Sequence, residues 1–154
     1  MNGSGKARGV LWVVAQNVLM TAALILAPVR CCDWSGDWSR PLGITLAMVA
    51  AVFGFAGVLA LGRNLTPFPR PCQDAALVQN GIYALVRHPL YTSVILVSAG
   101  WALFWRSSVA AIIVVLLAVI LDAKSRLEER WLREKFPDYA DYARRVRRFL
   151  PWIY

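Results

Sequence analysis

Two uncharged hydrophobic runs dominate the first half of the chain. Residues 10–29 and 42–61 contain no Asp, Glu, Lys or Arg. About twenty helical residues span the hydrocarbon core of a bilayer, so the pattern predicts two transmembrane helices over these ranges. Lys6 and Arg8 before the first run resemble the start of a signal peptide. The run is too long for one and no small-residue cleavage pattern follows, so we expect a retained span.

Two shorter hydrophobic runs, at about residues 90–105 and 107–122, are separated only by Arg106. Each run is near the lower limit for crossing a bilayer. We interpret them as a third and a fourth span joined in a tight hairpin, with the Arg106 side chain extending to the membrane surface. The alternative is one helix of about thirty residues, which would exceed the core thickness by about half. The preferred interpretation predicts an all-α integral membrane protein with four transmembrane helices.

Small residues recur at three- and four-residue spacing along the second run. Such stripes let helix backbones approach closely inside a membrane, so we expect this one to pack against another helix. Its members are Gly43, Ala47, Ala50, Ala51, Gly54 and Gly57.

C-terminal amphipathic helices are predicted after the last hydrophobic run. At 100° per residue, Glu128 projects into an apolar side of the first helix, with Lys124 close to it and Glu129 at the edge of that side. Charges on a packing face normally need partners or a ligand. A plain Lys124–Glu128 pair at i, i+4 is the simpler alternative.

Pro137 begins a second amphipathic segment that extends to about Leu150. One side of it is apolar, and four arginines occupy much of the rest, which suits a membrane surface with anionic headgroups. The apolar side contains Tyr139, Tyr142, Val146, Phe149 and Leu150, and the arginines are Arg144, Arg145, Arg147 and Arg148.

Composition agrees with a membrane protein. Hydrophobic residues make up 58% of the 154 residues, the mean hydropathy is +0.51 and the formal net charge is +8. In a chain embedded in lipid, this charge favours anionic headgroups over nucleic acid as partners. With four spans the basic segments fall on one side, and positive residues favour the cytoplasm. We expect one domain over residues 1–154 with both termini cytoplasmic, in the inner membrane if the protein is bacterial.

Cysteine and histidine counts argue against a metal site. Three Cys and one His cannot form a zinc site with the usual spacing. Adjacent cysteines such as Cys31 and Cys32 seldom bridge each other, and the sequence leaves their role and that of Cys72 open.

A polar cluster precedes the third hydrophobic run. The segment Gly81-Ile-Tyr-Ala-Leu-Val-Arg-His-Pro-Leu-Tyr91 contains the only His of the chain. Pro89 fits the first turn of a helix, whose free N–H groups then favour an electron-rich ligand. Ordinary interfacial side chains would have a similar composition. Upstream, the three prolines of the segment 66–71 predict a rigid, irregular loop.

Together with Glu128-Glu129 downstream, this cluster resembles the motifs of the isoprenylcysteine carboxyl methyltransferase and phospholipid methyltransferase superfamily. The resemblance extends from about Leu61 to Pro151. It implies an integral membrane methyltransferase that uses S-adenosyl-L-methionine, with motif segments 75–91 and 124–151 on the cytoplasmic side. The residues that it implies for cofactor binding are Leu77, Val78, Gly81, Tyr83, Arg87, His88, Pro89, Tyr91, Glu128 and Glu129.

The resemblance also concerns the methyl acceptor. Carboxyl methyltransferases of this superfamily have a substrate-contacting Arg four residues before the first Glu, where this chain has Lys124. Lys124 is the implied substrate-binding residue, although it lacks the bidentate geometry of Arg. We expect a lipid-soluble or small apolar acceptor with a carboxylate, amine or thiol. A carboxylate or thiolate needs no general base, whereas an amine would need a neutral form or a nearby base such as Glu129 or His88. The alternatives are a non-catalytic membrane binding or scaffold protein and, less favoured, a nicotinamide-dependent reductase of related fold.

Overall fold

The computed structural model describes residues 3–66 and 76–154, with side chains from residue 9 onward. In this part of the chain the fold is all-helical and contains no strand. Its α-helices are α1 (Gly3–Val29), α2 (Ser39–Leu61), α3 (Pro89–Trp105), α4 (Ser108–Lys135) and α5 (Tyr139–Arg145). Two short 3₁₀ turns, Gly62–Asn64 and Gly81–Ala84, lie between α2 and α3. Residues 67–71 of the predicted proline-rich loop, and Cys72, lie outside the described residues.

Among the described helices, three are long and apolar enough to cross a membrane. They are Gly9–Val29, Ser39–Asn64 and Ser108–Lys135. The first two contain the predicted spans 10–29 and 42–61, and the third overlaps the predicted span 107–122 and continues to Lys135. The predicted span 90–105 corresponds to α3, an apolar helix of 17 residues. The all-helical membrane architecture is therefore confirmed, and the count of four spans stays a prediction.

α3 and α4 are two helices, not one long helix. The chain leaves α3 where Arg106 adopts the left-handed conformation, with φ 53° and ψ 46°. The Ser107 side chain then accepts a hydrogen bond from the Ala110 N–H at 3.3 Å, which caps α4. A left-handed residue followed by a hydroxyl cap ends one helix and starts another. The membrane hairpin itself stays a prediction.

The small-residue stripe of α2 packs against α3, as predicted. A Cβ added to Gly43 would lie 2.6 Å from the Gly100 carbonyl oxygen, and one added to Gly100 would lie 2.5 Å from that of Gly43. Nearer the start of α3, the Ser93 hydroxyl donates to the Ala50 carbonyl at 2.7 Å. The two helix backbones therefore touch along this face, which holds the N-terminal end of α3 against α2.

The loop after α1 is fastened to the α3–α4 junction. The Cys32 N–H donates to the Trp105 carbonyl at 3.1 Å, and the Asp33 carboxylate accepts the Ser108 N–H at 2.6 Å. Cys31 and Cys32 are free thiols whose Sγ atoms lie 2.8 Å apart. Their role stays open.

The predicted boundaries of the C-terminal amphipathic helices are wrong in two respects. The first predicted helix is the C-terminal half of α4, because no Gly or Pro interrupts the chain between Ser108 and Lys135. The second ends at Arg145 instead of continuing to Leu150.

Beyond Arg145 the chain pairs with the polar motif instead. Val86 and Arg147 form an isolated parallel bridge, and the Arg87 N–H donates to the Arg147 carbonyl at 2.8 Å. The His88 N–H donates to the Arg148 carbonyl at 3.1 Å. These bonds give partners to backbone N–H groups that precede α3, and a longer α5 would leave those groups without them.

Candidate functional site

A cavity of about 160 Å³ lies beside the N-terminal end of α3. Its walls come from the end of α2, the segment 76–91, the C-terminal half of α4, and α5. Of the ten residues implied for cofactor binding, seven line it: Leu77, Val78, Tyr83, Arg87, His88, Tyr91 and Glu128. The fold thus brings together two motif segments that are far apart in sequence.

Glu128 presents a carboxylate to this cavity. One of its oxygens accepts a hydrogen bond from the Tyr91 hydroxyl, and the other lies 3.6 Å from His88 Nδ1. The His88 and Tyr91 rings are stacked, with an interplanar angle of 1°. The charge that the sequence placed on an apolar helix face therefore has polar partners and access to a cavity.

Glu129 lies behind the cavity wall and does not line the cavity. Arg148 binds it in a bidentate manner, with Nε 3.0 Å from Oε1 and Nη2 3.0 Å from Oε2. Arg87 Nη2 and His88 Nε2 lie 2.9 Å and 3.2 Å from Oε1. A carboxylate this buried needs such compensation. Glu129 therefore acts through the side chains that it holds.

Arg87 is committed to neighbouring protein atoms. Besides its pair with Glu129, its Nη1 donates to the carbonyl of Ala143 at 2.8 Å and to that of Val146. The guanidinium thus ties the polar motif to α5 and to the segment after it. These bonds hold Arg87 in the cavity wall.

His88 is buried, and burial lowers the pKa of its imidazole below the ordinary value, while the hydrogen bond and charge of Glu129 oppose that shift. A neutral ring that donates through Nε2 to Glu129 presents Nδ1 to the cavity as an acceptor. The hydrogen bond to Glu129 therefore fixes the ring orientation, and Nδ1, 3.6 Å from a Glu128 oxygen, remains available to a ligand donor.

Three tyrosines, Tyr83, Tyr139 and Tyr142, also line the cavity. Burial, together with the charge of Glu128, raises the pKa of Tyr83 to about 12, so its hydroxyl remains a donor at neutral pH. The Tyr142 hydroxyl donates to the Tyr83 carbonyl at 2.7 Å. The Tyr139 hydroxyl is buried in the cavity wall and has no hydrogen-bond partner among the described residues. An orphaned donor at this place fits a ligand with a polar group.

The other implied residues lie near the cavity without lining it. Gly81 begins a 3₁₀ turn with φ 60°, a left-handed conformation that favours glycine. Pro89 occupies the first turn of α3, as predicted. Lys124 is 2% exposed, donates to Gln16 Oε1 at 3.0 Å and lies 5.1 Å from the centre of the Tyr91 ring.

The sequence analysis predicted the wrong environment for the Arg148 side chain. We expected it to face headgroups, yet it bridges Glu129 and Asp122, whose Oδ1 lies 3.0 Å from its Nη1. Asn64 was also missed, although it lines the cavity and its side-chain amide pairs with the Ala76 backbone through two bonds of 3.3 Å. Arg148 also begins the Arg148-Phe-Leu-Pro151 stretch at the end of the superfamily resemblance, whereas an Asn in a loop carries no sequence signal that distinguishes it.

Comparison with known sequences identifies the family. Residues 38–139, more than half of the chain, match the sequence profile of the phospholipid methyltransferase family. The chain belongs to the phospholipid methyltransferase family. The matched stretch includes α2, α3, α4 and both halves of the polar site. Membership of this membrane methyltransferase family confirms the superfamily to which the sequence motifs pointed.

Three relatives accompany this match. The chain is 34% identical over 144 residues to the cobalt-zinc-cadmium resistance protein CzcN of Cupriavidus metallidurans, and 27% identical over 135 residues to the nickel-cobalt-cadmium resistance protein NccN of Alcaligenes xylosoxydans xylosoxydans. These alignments cover 93% and 87% of the chain. It is 24% identical over 120 residues, 75% of its length, to protein-S-isoprenylcysteine O-methyltransferase B of Arabidopsis thaliana. The chain spans 62%, 62% and 61% of these three relatives.

Proposed function

We propose that the protein transfers a methyl group from S-adenosyl-L-methionine to a lipid-soluble or small apolar acceptor at the cytoplasmic face of the membrane. The observation that carries this proposal is the convergence of His88, Tyr91 and Glu128 on one cavity at the end of apolar helices. Family membership supports the reaction class, and methyltransferases of this kind generally use S-adenosylmethionine.

The donor groups of the cavity fit this cofactor. When bound, S-adenosylmethionine supplies an activated methyl group on a sulfonium and also carries an amino acid end, a ribose and an adenine. Glu128 would accept hydrogen bonds from the amine or the ribose hydroxyls. The Tyr139 hydroxyl would find the partner that it lacks within the described protein. Leu77, Val78 and Leu132 would contact the flat apolar part of the ligand.

Catalysis would rest on positioning. Displacement at an already activated methyl group needs the acceptor to be held in line and close, without a covalent intermediate on the protein. The hydrogen bond between Tyr91 and Glu128, and the one between Arg148 and Glu129 behind the cavity, would hold the side chains of the cavity wall in place for this purpose. For an amine acceptor, His88 is a better-placed base than Glu129, because both oxygens of Glu129 already bind Arg148.

Lys124 is our proposal for the acceptor side of the site. It lies one helical turn before Glu128 on α4, and its ammonium group lies against the Tyr91 ring that borders the cavity. Its bond to Gln16 brings α1 to the same place. A buried cation near the cavity would attract an anionic acceptor group.

The test is calorimetric titration of the purified protein with S-adenosylmethionine and with its demethylated product. We expect Glu128→Gln to weaken binding about ten- to a hundred-fold, because a hydrogen bond to a charged group contributes about 1.5–3 kcal/mol. Glu134→Gln is the matched control, since Glu134 is an exposed carboxylate of the same helix and does not line the cavity. Unchanged affinity in Glu128→Gln would remove this residue from the cofactor site. Absence of binding by the unmodified protein would favour the non-catalytic alternative.

A further inference from the structure

A second groove of about 230 Å³ lies on the outer side of the polar motif and shares no lining residue with the methyl-transfer cavity. Leu85 borders it on one side and Trp152 on the other, with Arg144, Arg145 and Arg147 along it. The parallel bridge between Val86 and Arg147 joins its two walls. The groove is therefore part of the fold and not a gap between loose segments.

The cations of this groove are only partly neutralised. Arg144 forms an ion pair with Asp141, whereas Arg145 contacts only the backbone carbonyl of Asp141, through Nε at 3.4 Å. Within residues 9–66 and 76–154, neither Arg145 nor Arg147 forms an ion pair with a carboxylate, and both are exposed. Guanidinium groups offer paired N–H donors whose spacing matches two phosphate oxygens.

Apolar side chains border the same groove. Of its lining residues, Trp152 is 86% exposed and Leu85 47%. Leu150 and Ile153, which flank Pro151 and Trp152 in the sequence, are 45% and 77% exposed. Exposed large apolar groups of this kind mark a contact surface. Trp is characteristic of the zone where headgroups meet acyl chains.

The position of the groove agrees with that zone. Leu85 precedes Pro89, the first residue of the apolar helix α3, by four positions. The backbone bonds from Arg87 and His88 to residues 147 and 148 hold the arginine segment at the same helix end. Cationic and apolar groups thus lie together at the N-terminal end of an apolar helix.

We infer that this groove binds the headgroup of an anionic phospholipid, with Arg145 and Arg147 on the phosphate and with Leu85 and Trp152 against the glycerol and upper acyl region. The unpaired guanidinium groups supply the charge complement, and the adjoining apolar side chains distinguish a lipid from a soluble anion. The inference is independent of the proposed methyl transfer, because the two cavities have no lining residue in common.

The experiment uses the purified full chain in a neutral detergent. Short-chain phosphatidylglycerol, short-chain phosphatidylcholine and inorganic phosphate are titrated separately, with the thermal unfolding midpoint and native mass spectrometry of retained lipid as readouts. We expect phosphatidylglycerol to raise the midpoint more than phosphatidylcholine, and phosphate to have no effect. The double variant Arg145→Gln, Arg147→Gln should have an affinity for phosphatidylglycerol about 25-fold weaker, or about five-fold per arginine. Arg130→Gln, an exposed arginine of α4 outside the groove, is the matched control and should retain it.

Three results would overturn the inference. An equal response to inorganic phosphate would mean that the groove takes a soluble anion. An equal loss in Arg130→Gln would mean that overall charge, and not this groove, attracts the lipid. Trp152→Ser is a second test variant, because it should weaken phosphatidylglycerol binding while leaving every arginine in place. Unchanged binding in Trp152→Ser and in the double arginine variant would likewise exclude the site.

Discussion

Adjacent carboxylates in this protein have different environments, and their neighbours determine the difference. Glu128 lines the cavity and meets a tyrosine hydroxyl, whereas Glu129 lies behind the wall among Arg87, His88 and Arg148. A hydrogen bond from a neutral hydroxyl leaves Glu128 able to exchange partners with a ligand. The cations around Glu129 leave it a fixed part of the scaffold.

His88 should remain neutral at pH values where an exposed histidine is half protonated. Burial lowers its pKa, so we expect the midpoint of its titration below about 6.5. The fold then binds fewer protons than the unfolded chain below that pH. The contribution of neutral His88 to the stability of the fold is complete above about pH 6.5, and it decreases as the pH falls toward the lowered midpoint.

Nuclear magnetic resonance of the imidazole ring measures this directly, because the chain has one His. Thermal unfolding at pH 7 and pH 5.5 gives the matching stability change. His88→Gln should remove the histidine share of that change. A midpoint at or above 6.5 would mean that the Glu129 interaction, and not burial, dominates.

Lys124→Ala should affect the acceptor and spare the cofactor. If the ammonium group attracts an anionic acceptor, the variant has a higher KM for the acceptor, while the affinity for S-adenosylmethionine changes less than two-fold, or by less than about 0.4 kcal/mol. Transfer of a tritiated methyl group to prenylcysteine, phospholipid, thiol and quinone-like acceptors in liposomes provides the assay. Lys124→Arg restores the charge and should retain activity on a carboxylate acceptor. Loss of cofactor binding in Lys124→Ala would assign this residue to the cofactor side instead.

At the residue scale, sequence motifs predicted which side chains meet but not what each one does. The superfamily resemblance implied one site for His88, Tyr91 and Glu128, and the structure brings the three side chains together. The role of Arg148 depends on the pairing of residues 147–148 with 87–88, and no local pattern specifies that pairing. The same pairing accounts for the position of Glu129.

At the scale of elements, contact between α2 and α3 holds the site end of α3 in place. Small residues on both helices allow their backbones to touch at Gly43 and Gly100, and the Ser93 hydroxyl reaches the Ala50 carbonyl. Because His88 and Tyr91 lie at the start of α3, any separation of these helices displaces them from Glu128 on α4. Packing inside the membrane and geometry at the site are thus coupled.

Gly100→Ala should destabilise the protein by about 1–3 kcal/mol, since its Cβ would lie 2.5 Å from a backbone oxygen that can move only with α2. Gly54→Ala is the comparison, because its Cβ would meet the Ser93 hydroxyl at 2.7 Å, a side-chain atom that can rotate away. Thermal unfolding in detergent ranks the two variants. An equal or smaller loss in Gly100→Ala would contradict close backbone contact.

Periodicity predicted most elements because each hydrophobic run is bounded by polar residues. It failed at the C-terminal end of α4, where the boundary between membrane and amphipathic parts is a change of composition within one uninterrupted helix. It failed again after Arg145, where backbone pairing with a distant segment replaces a helix that the local pattern would support. Non-local hydrogen bonds decide both the end of α5 and the shape of the site.

At the scale of the whole molecule, charge is concentrated at the site end. Nine of the 17 Lys and Arg residues follow residue 123, whereas the loop after α1 and the start of α2 combine Arg30 and Arg40 with Asp33 and Asp37. Positive residues favour the cytoplasm, so we expect the site to face the cytoplasm and the loop to face outward.

The native thiols test this orientation. A membrane-impermeant maleimide should label Cys32, which is exposed in the loop after α1, in intact cells. A Cys72→Ser variant should label equally well, and replacing both Cys31 and Cys32 with Ser should abolish the signal. If Cys32 is labelled only in broken cells, the loop faces the cytoplasm and the site faces outward, contrary to our expectation.

The pairing of the polar motif with the segment around Arg148 has a consequence for biosynthesis. The Thr92 hydroxyl donates to the Phe149 carbonyl, 57 residues downstream, and the Tyr142 hydroxyl reaches back 59 residues to the Tyr83 carbonyl. At about 5–20 residues per second, the ribosome needs roughly 3 to 11 seconds to translate that interval. The ribosome therefore synthesises α3 and α4 while the motif still lacks its partners. A product of premature termination before residue 146 would contain every described apolar helix and all the residues that line the cavity, yet it would lack the carbonyl groups of residues 147 and 148 that pair with Arg87 and His88.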